Sequence, residues 1–561
     1  MEVEFSLKEK IETRSESVAM PALGTSESTD TKFSDDELVH APAPQHSQPH
    51  PHSNTHAVKD GDRENNTSGP SANTPPEKPP IMSVEAFGHW LPKPSLFYID
   101  ASVVFLFSIV IALFGVVYMN LVMAFPLWWY QQDGNEDFAV DPTTMQLLQG
   151  RWWWILVGTL TGLTVGTLRV LLKQTGPIPS FVQEVQTQHA DPVSGIKTCL
   201  LACISLMGGA SVGPEAGLGA FGGVMGHLVA TKLCTGPIFA KEQDLRRRLF
   251  TLCGISAAFG AFMPTAFVAV MLVMEIGMPF NTWGITYMRM FTFFAVAGLT
   301  AFVVYTNIID HTFLSDSSKL TAPGQVLYVD EWYNVFIGMS LGVLAAAVAL
   351  FYCFVGAVVK IMVQVLFKVA HKTVGHDIGF ILIAALGGSL YGLFGFISPL
   401  VMGDGIEQMG VVIEQGAQIG TVDILIGTIL KIFAYHVCIE TGFVGGLFLP
   451  IVAIGINVMR IMMNETSING ALAISCGFAM IPGALVPIPV TLVVFSANTF
   501  ILGPAATIPI FACVITAYFV FMAMGLPQFL ARKGYERRNK SLTEFGGEMH
   551  STVPKVTEVT N

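Results

Sequence analysis

"GGASVGPEAGLGAFGG", Gly208–Gly223, carries a single charge, on Glu215. Apolar segments flank it on both sides. An ionisable residue inside a membrane-embedded segment is costly and marks a functional site. Whether this stretch is membrane-embedded depends on the rest of the chain. The protein has 561 residues, of which 52% are hydrophobic and 13% charged. Soluble domains carry about 25% charge. Runs such as Ser102–Phe125, Trp152–Leu172, Phe291–Ile309, Val335–Val359 and Pro504–Leu526 are predominantly apolar. They approach or exceed the roughly 20 residues that span a bilayer. The chain therefore reads as an all-α, multi-pass integral membrane protein, and Glu215 falls within it.

The ends differ from the middle. Residues 1–95 are rich in Ser, Thr, Pro, His and acidic residues. They read as a disordered tail, because such a composition buries too little apolar surface to fold. The tail opens without an apolar signal segment. Its histidines His46, His50, His52 and His56 follow no metal-ligand spacing, so no metal site is expected. Much of the net charge of -11 lies in this tail. The core spans residues 96–530, and a short basic tail fills 531–561. Arg532, Lys533, Arg537, Arg538 and Lys540 follow the last apolar run, which favours the cytosolic side. Arg246, Arg247 and Arg248 form a second basic cluster with the same implication. Both termini are expected in the cytosol. The acidic stretch with Asp133, Glu136, Asp137 and Asp141 is expected on the opposite side. Trp128-Trp129-Tyr130 and Trp152-Trp153-Trp154 read as interfacial anchors. The eight cysteines lie in or beside apolar segments without a CxxC pattern. They read as buried free thiols.

Two segments share a pattern. "CGISAAFGAFMP" (Cys253–Pro264) and "CGFAMIPGALVP" (Cys476–Pro487) both read C-G-x5-G-A-x2-P. A Gly/Pro-interrupted turn precedes each, "VGPEAG" before the first and "VGGLFLP" before the second. Two related halves follow, some 220 residues apart. Transporters built from repeats bind their substrate at the repeat interface, where broken helices point their N-termini at anionic groups.

Three turns have that character: "TGPIPS" (Thr175–Ser180), "GPEAG" (Gly213–Gly217) and "GGLFLP" (Gly445–Pro450). Singly, each is an ordinary membrane-helix kink. Together with Glu215 and the repeat they read as an anion site. The first N–H groups of a helix lack internal partners, and no water serves them in lipid. An anion satisfies them, and the helix dipole favours it. Glycine lets the backbone approach closely, and proline suits the first helical turn.

These residues resemble the CLC family of chloride channels and chloride/proton exchangers. "GASVGPEAG" is similar to the family's G-[GS]-S-V-G-[KR]-E-G-P element. "KIFAYHVCIETGFVGGLFLP", Lys431–Pro450, resembles its K-x-F…SGxxGGxFxP element. "GISAAFGAFMPTAFVAVMLVMEI" resembles its GxAAGxxAAFNAPxxGxxFxxE element. The resemblance covers most of the segment from about Phe97 to Phe529. It implies two antiparallel halves with broken helices, and a homodimer with one pore per subunit. It implies transport of chloride or a similar small anion across the lipid bilayer, without cofactor, metal or nucleic acid. Glu215 matches the gating glutamate, whose carboxylate competes with the anion for the same amides. The anion-binding positions it implies, mostly through backbone amides, are Gly176, Pro177, Ile178, Gly213, Glu215, Ala216, Gly217, Gly446, Leu447, Phe448 and Phe529.

The departures from the family pattern bear on mechanism. Gly176 stands where the family has an anion-coordinating Ser. Pro214 replaces a basic residue, and Ala216-Gly217 replace Gly-Pro. Phe529 falls where a tyrosine hydroxyl closes the inner side. Ile276 falls where exchangers carry an internal proton glutamate, and Glu275 matches an acid that channels share. Asn498 falls where the second half often has an acid. An apolar Ile276 cannot relay a proton, so a gated anion channel is expected, with proton-coupled exchange the alternative. Two further readings belong to other classes. His436 and Glu440 share a helix face, as an intramembrane enzyme would need, but no HExxH motif is present and no enzyme activity is expected. An unrelated cation or solute transporter would need more deep acidic residues than Glu215 and Glu275.

Overall fold

The structure, a computed structural model, describes residues 94–130, 150–178, 181–234, 243–263, 265–277, 285–308 and 331–525. The His/Pro-rich stretch before Pro94, the acidic stretch 131–149, Phe529 and the basic tail lie outside the described residues. The first half contains α1 (Pro94–Tyr130), α2 (Trp153–Leu171), α3 (Phe181–Thr187), α4 (Pro192–Met207), α5 (Glu215–Leu228), α6 (Gln243–Phe262), α7 (Ala266–Gly277) and α8 (Ile285–Ile308). The second contains α9 (Asn334–Val374), α10 (His376–Ile397), α11 (Ile406–Ile419), α12 (Thr421–Thr441), α13 (Phe448–Glu465), α14 (Gly470–Leu485), α15 (Pro489–Thr499) and α16 (Thr507–Ala523). Among the described residues there is no strand, only one antiparallel bridge between Gly213 and Gly446.

Eight of these helices are long and apolar enough to cross a membrane, and each of the five runs singled out in the sequence coincides with one. Helices α4, α7, α14 and α15 are apolar but shorter. Helix α9, at 41 residues, is about 60 Å long, twice the hydrocarbon thickness of a bilayer. Local chemistry sets the starts of the short helices. The Asp191 carboxylate accepts from the Ser194 N–H at 2.8 Å, with Pro192 at the first helical position. Asp191 is thus the cap of α4. Asn469 caps α14 in the same way, accepting from the Leu472 N–H at 3.2 Å.

The repeat is a repeated helix crossing. In the first half, α5 meets α6 where Gly222 faces Gly254. In the second, α13 meets α14 where Gly455 faces Gly477. A Cβ on Gly222, Gly254 or Gly455 would overlap a carbonyl of the facing helix. Gly222 and Gly455 are each the eighth residue of their helix. Gly254 and Gly477 each follow the cysteine of the shared motif. The motif is therefore a backbone-contact seam, the device by which membrane helices pack without a hydrophobic drive. The same device joins α2 to α10, where Gly158 and Gly162 lie against the carbonyls of Gly388 and Ala384.

Two expectations change in the folded protein. Arg246 is not part of a solvated cluster. Its Nε donates to Asp100 Oδ1 at 2.8 Å and its Nη2 to Oδ2 at 3.0 Å, and both side chains are fully buried. This fork pins α6 to α1. Trp154 does not anchor an interface, because it is wholly buried beneath Gly150, whereas Trp152 is exposed. All eight cysteines are free thiols, six of them buried.

Removing one member of a buried pair strands the other charge, at a cost of about 3–5 kcal/mol. Asp100→Asn is therefore expected to lower the unfolding temperature in detergent sharply, with Arg247→Gln near neutral. Equal effects of the two variants would show that the Arg246–Asp100 fork does not hold α6 in place.

Candidate functional site

The loop before α5 is fixed at several points by buried hydrogen bonds. Tyr391 of α10 donates its hydroxyl to the Gly208 carbonyl at 2.7 Å. The Gly403 N–H reaches the Gly209 carbonyl at 3.0 Å. Gly213 and Gly446 exchange both N–H···O=C bonds, at 2.8 and 2.6 Å. The Val444 N–H donates to Ser205 Oγ at 3.1 Å. Lys431, the first residue of the second resembling element, is fully buried and directs its ammonium at the Val401 and Gly403 carbonyls, both at 3.3 Å. It is thus a structural tie rather than a charge in the pathway.

These ties place Glu215 at the start of α5 and aim it across the half-to-half boundary. Its side chain is 0% exposed. Oε1 accepts the Leu449 N–H at 2.8 Å, in the first turn of α13. Oε2 is buried and has no hydrogen-bond partner among the described residues. The carboxylate fits only because two glycines flank it: a Cβ on Gly213 or on Gly446 would overlap it. Pro450 has no N–H, so the first turn of α13 offers the amides of Leu447, Phe448 and Leu449. Leu449 was not singled out in the sequence, yet its amide makes the contact. The usable signal is helical position, because it is the last N–H before the proline.

Gly176, Pro177, Ile178, Ala216, Gly446 and Leu447 line one cavity of about 630 Å³, so residues from the three Gly/Pro turns converge. Phe448 lies behind them, its ring stacked on Phe495 at 5.8 Å. Gly217 faces away from the cavity, beneath the Tyr118 hydroxyl, where a Cβ would clash. The "TGPIPS" turn leads into α3, which has only seven residues, and Pro179 and Ser180 lie outside the described residues. A Cβ on Gly176 would meet open space.

Arg169 was missed by the sequence reading, since one arginine in an apolar run gives no periodic signal. Its Nε, Nη1 and Nη2 donate to the carbonyls of Gln174, Gly442 and Gly176 at 2.9, 2.9 and 2.6 Å. It thereby staples the first Gly/Pro turn to the end of α12. The other cavity wall carries Lys360, Lys368, His371 and His376. Glu440 lies 3.9 Å from Lys360. His436 is packed against Tyr352, with ring centroids 4.4 Å apart. Glu275 is committed elsewhere: its Oε1 and Oε2 accept the Val490 and Thr491 N–H groups at 3.0 and 2.8 Å, capping α15. A second carboxylate of the first half thus caps a helix of the second.

A bundle of broken helices whose two halves meet at a carboxylate-capped helix N-terminus defines a membrane protein of the anion-transport class. The family model described as "Voltage gated chloride channel" matches residues 157–522. The chain belongs to that family, the CLC proteins. No curated protein matches it. Among solved structures, a slow cyanobacterial Cl-/H+ antiporter is similar at 14% identity and TM-score 0.60, over 78% of this chain and 99% of that one. A CLC-type fluoride/proton antiporter is similar at 14% identity and TM-score 0.52, over 76% and 96%. A eukaryotic CLC transporter is similar at 13% identity and TM-score 0.54, over 76% and 72%. At such identities these likenesses establish the fold.

The glycine contacts give a test in stability alone. Gly446→Ala places a methyl on the Glu215 carboxylate and is expected to cost about 1–3 kcal/mol, the usual range for overpacking. Most of that cost should vanish in a Glu215→Ala background, whereas Gly176→Ser should be neutral within about 0.5 kcal/mol. Additive effects of Gly446→Ala and Glu215→Ala in detergent melting would contradict this placement of the carboxylate.

Proposed function

We propose that the protein is a gated channel for chloride or a similar small anion, with Glu215 as its gate. The observation that carries this reading is the carboxylate on the Leu449 amide with one oxygen left unpartnered. A charge-assisted hydrogen bond contributes about 1.5–3 kcal/mol, and the dipole at a helix N-terminus adds up to about 2 kcal/mol. The orphaned Oε2 offsets part of this, since an unmade hydrogen bond costs about 1–3 kcal/mol. A side chain held by so small a margin is displaced when an anion takes the amides of Leu447, Phe448 and Leu449, or when protonation removes its charge. The cavity beside Ala216 and Leu447 is the inner approach to this point. Its basic wall at the end of α9 favours the cytosolic side. A homodimer with one pore per subunit and cytosolic termini complete the proposal.

Passive conduction is favoured over proton-coupled exchange by two side chains. Ile276 carries no titratable group, and the Glu275 carboxylate is occupied in capping α15. Neither is a free inner proton acceptor.

Glu215→Gln removes the competing charge at constant shape. It should raise anion flux on the order of tenfold, equivalent to about 1.4 kcal/mol, and flatten its pH dependence, because wild-type flux should rise as acid neutralises the carboxylate. Unchanged flux and pH dependence in this variant would remove Glu215 from the gate. The reversal potential under an imposed proton gradient should follow the anion gradient alone. A sustained shift with the proton gradient, lost in Glu215→Gln, would establish exchange instead. Glu275→Gln should lower stability by about 0.5–2 kcal/mol, as for a lost cap, without changing the reversal potential.

A further inference from the structure

We propose that His189 and His227 form a reversible binding site for a divalent transition-metal ion of the zinc type, at the end of α5 remote from Glu215. The proposal goes beyond the anion-transport reading and does not rest on it. His227 stands in the last turn of α5, about 18 Å along the helix axis from Glu215. It is 8% exposed, and its Nδ1 is buried without a hydrogen-bond partner among the described residues. The His189 ring lies against it, with centroids 5.3 Å apart and planes at 80°. Two imidazoles on one tetrahedral zinc, each bound through nitrogen at about 2.0–2.1 Å, hold their ring centres about 5 Å apart. His189 is exposed, so turning its ring about Cβ–Cγ brings a nitrogen to the same ion while its backbone stays in place.

The fold holds both residues in position. Gln188, a non-glycine residue at φ +54°, is buried and donates its Nε2 to the Gly277 carbonyl at 2.9 Å. Left-handed backbone is costly for a residue with a side chain and persists where the surroundings fix it. Ala190 faces Gly223 of α5, and Asp191 caps α4. His189 is thus the exposed residue of a linker clamped on both sides. Beyond His227, α5 runs into a single π-helical turn, Val229–Leu233, whose Thr231 hydroxyl donates to the His227 carbonyl at 2.9 Å. Such turns are frequent at functional sites. Two charged groups act on His227, the Asp191 carboxylate and the Arg247 guanidinium, and Arg247 is itself paired with Asp244 at 3.2 Å. Neither sign therefore dominates around the ring. Neutral imidazole suits zinc, copper and nickel, whereas magnesium and calcium take oxygen ligands. No group of three His, Cys, Asp or Glu side chains among the described residues could hold a metal, so water completes the shell. Two protein ligands give a site that fills and empties, unlike a structural zinc, which takes four. A second close pair, His371 and His376 with centroids 5.7 Å apart, is less constrained: both residues are exposed, and His376 Nδ1 already lies 3.0 Å from Asp377.

The test is zinc binding to the untagged full-length protein in detergent, read by anomalous scattering from crystals at the zinc edge and by thermal unfolding. Wild type should show a zinc peak within about 2.5 Å of a ring nitrogen of both His189 and His227. Zinc should also raise its unfolding temperature, as a ligand of the folded state does. His189→Gln and His227→Gln should each lose the peak and need on the order of tenfold more zinc for the same thermal shift. His189→Cys should keep both peak and shift, since a thiolate also ligates zinc. A packing role for His189 forecasts no such rescue. Magnesium at the same concentration should give no shift. His46, His50, His52 and His56 remain in every variant, so zinc held by them cannot produce the difference. His189 is exposed, so its variants decide even where His227→Gln does not fold. No wild-type peak between the two rings, or a zinc shift unchanged in His189→Gln, would overturn the proposal.

Discussion

One hydrogen bond, from the Leu449 amide to the Glu215 carboxylate, organises this protein. It joins the first turn of a helix in one half to the first residue of the corresponding helix in the other. Everything near it bears on that junction. Gly213 and Gly446 exchange hydrogen bonds and leave space for the carboxylate, Tyr391 fixes the loop, and Lys431 holds the turn that holds the loop. Inside a membrane the free amides of a broken helix require an acceptor. Here the acceptor is the Glu215 side chain.

The halves are related by mechanics as much as by sequence. Each contains a helix whose eighth residue is a glycine pressed against a glycine of the next helix. Such seams let backbones approach and fix the direction in which the broken helices point. They also explain why the first turns of α5 and α13 meet. Glu215 and Phe448 are the first residues of equivalent helices, one a carboxylate and the other an aromatic ring packed on Phe495. The pseudo-symmetry is thus broken where the halves meet, one supplying a carboxylate and the other the amide that it accepts from.

Much of this was legible in the sequence. The spans announced themselves by length and apolarity, and the C-G-x5-G-A-x2-P repeat marked the seams. Gly/Pro turns marked the broken helices, because few residue types permit such a backbone. What composition could not reveal was partnership. Nothing in the sequence said that Arg246 would find Asp100, that Glu275 would cap α15, or that Trp154 would turn inward while Trp152 stayed out. Each is a long-range pairing set by how helices cross. Nor did it say that the Leu449 amide would reach Glu215, since the exact start of α13 decides which amides are free. Arg169 shows the limit most clearly. In sequence it interrupts an apolar run, and only the fold reveals that it ties the first Gly/Pro turn to the end of α12.

The proposed conduction through this site requires that the carboxylate and the anion compete for the same amides. Calorimetric titration of chloride into the purified wild type and into Glu215→Ala compares the site with and without its internal competitor. A shared site predicts that Glu215→Ala binds chloride on the order of tenfold more tightly, with the gain abolished when an added methyl at Gly446 fills the vacated space. Equal affinity of wild type and Glu215→Ala would mean that the anion binds elsewhere and that Glu215 is not its rival.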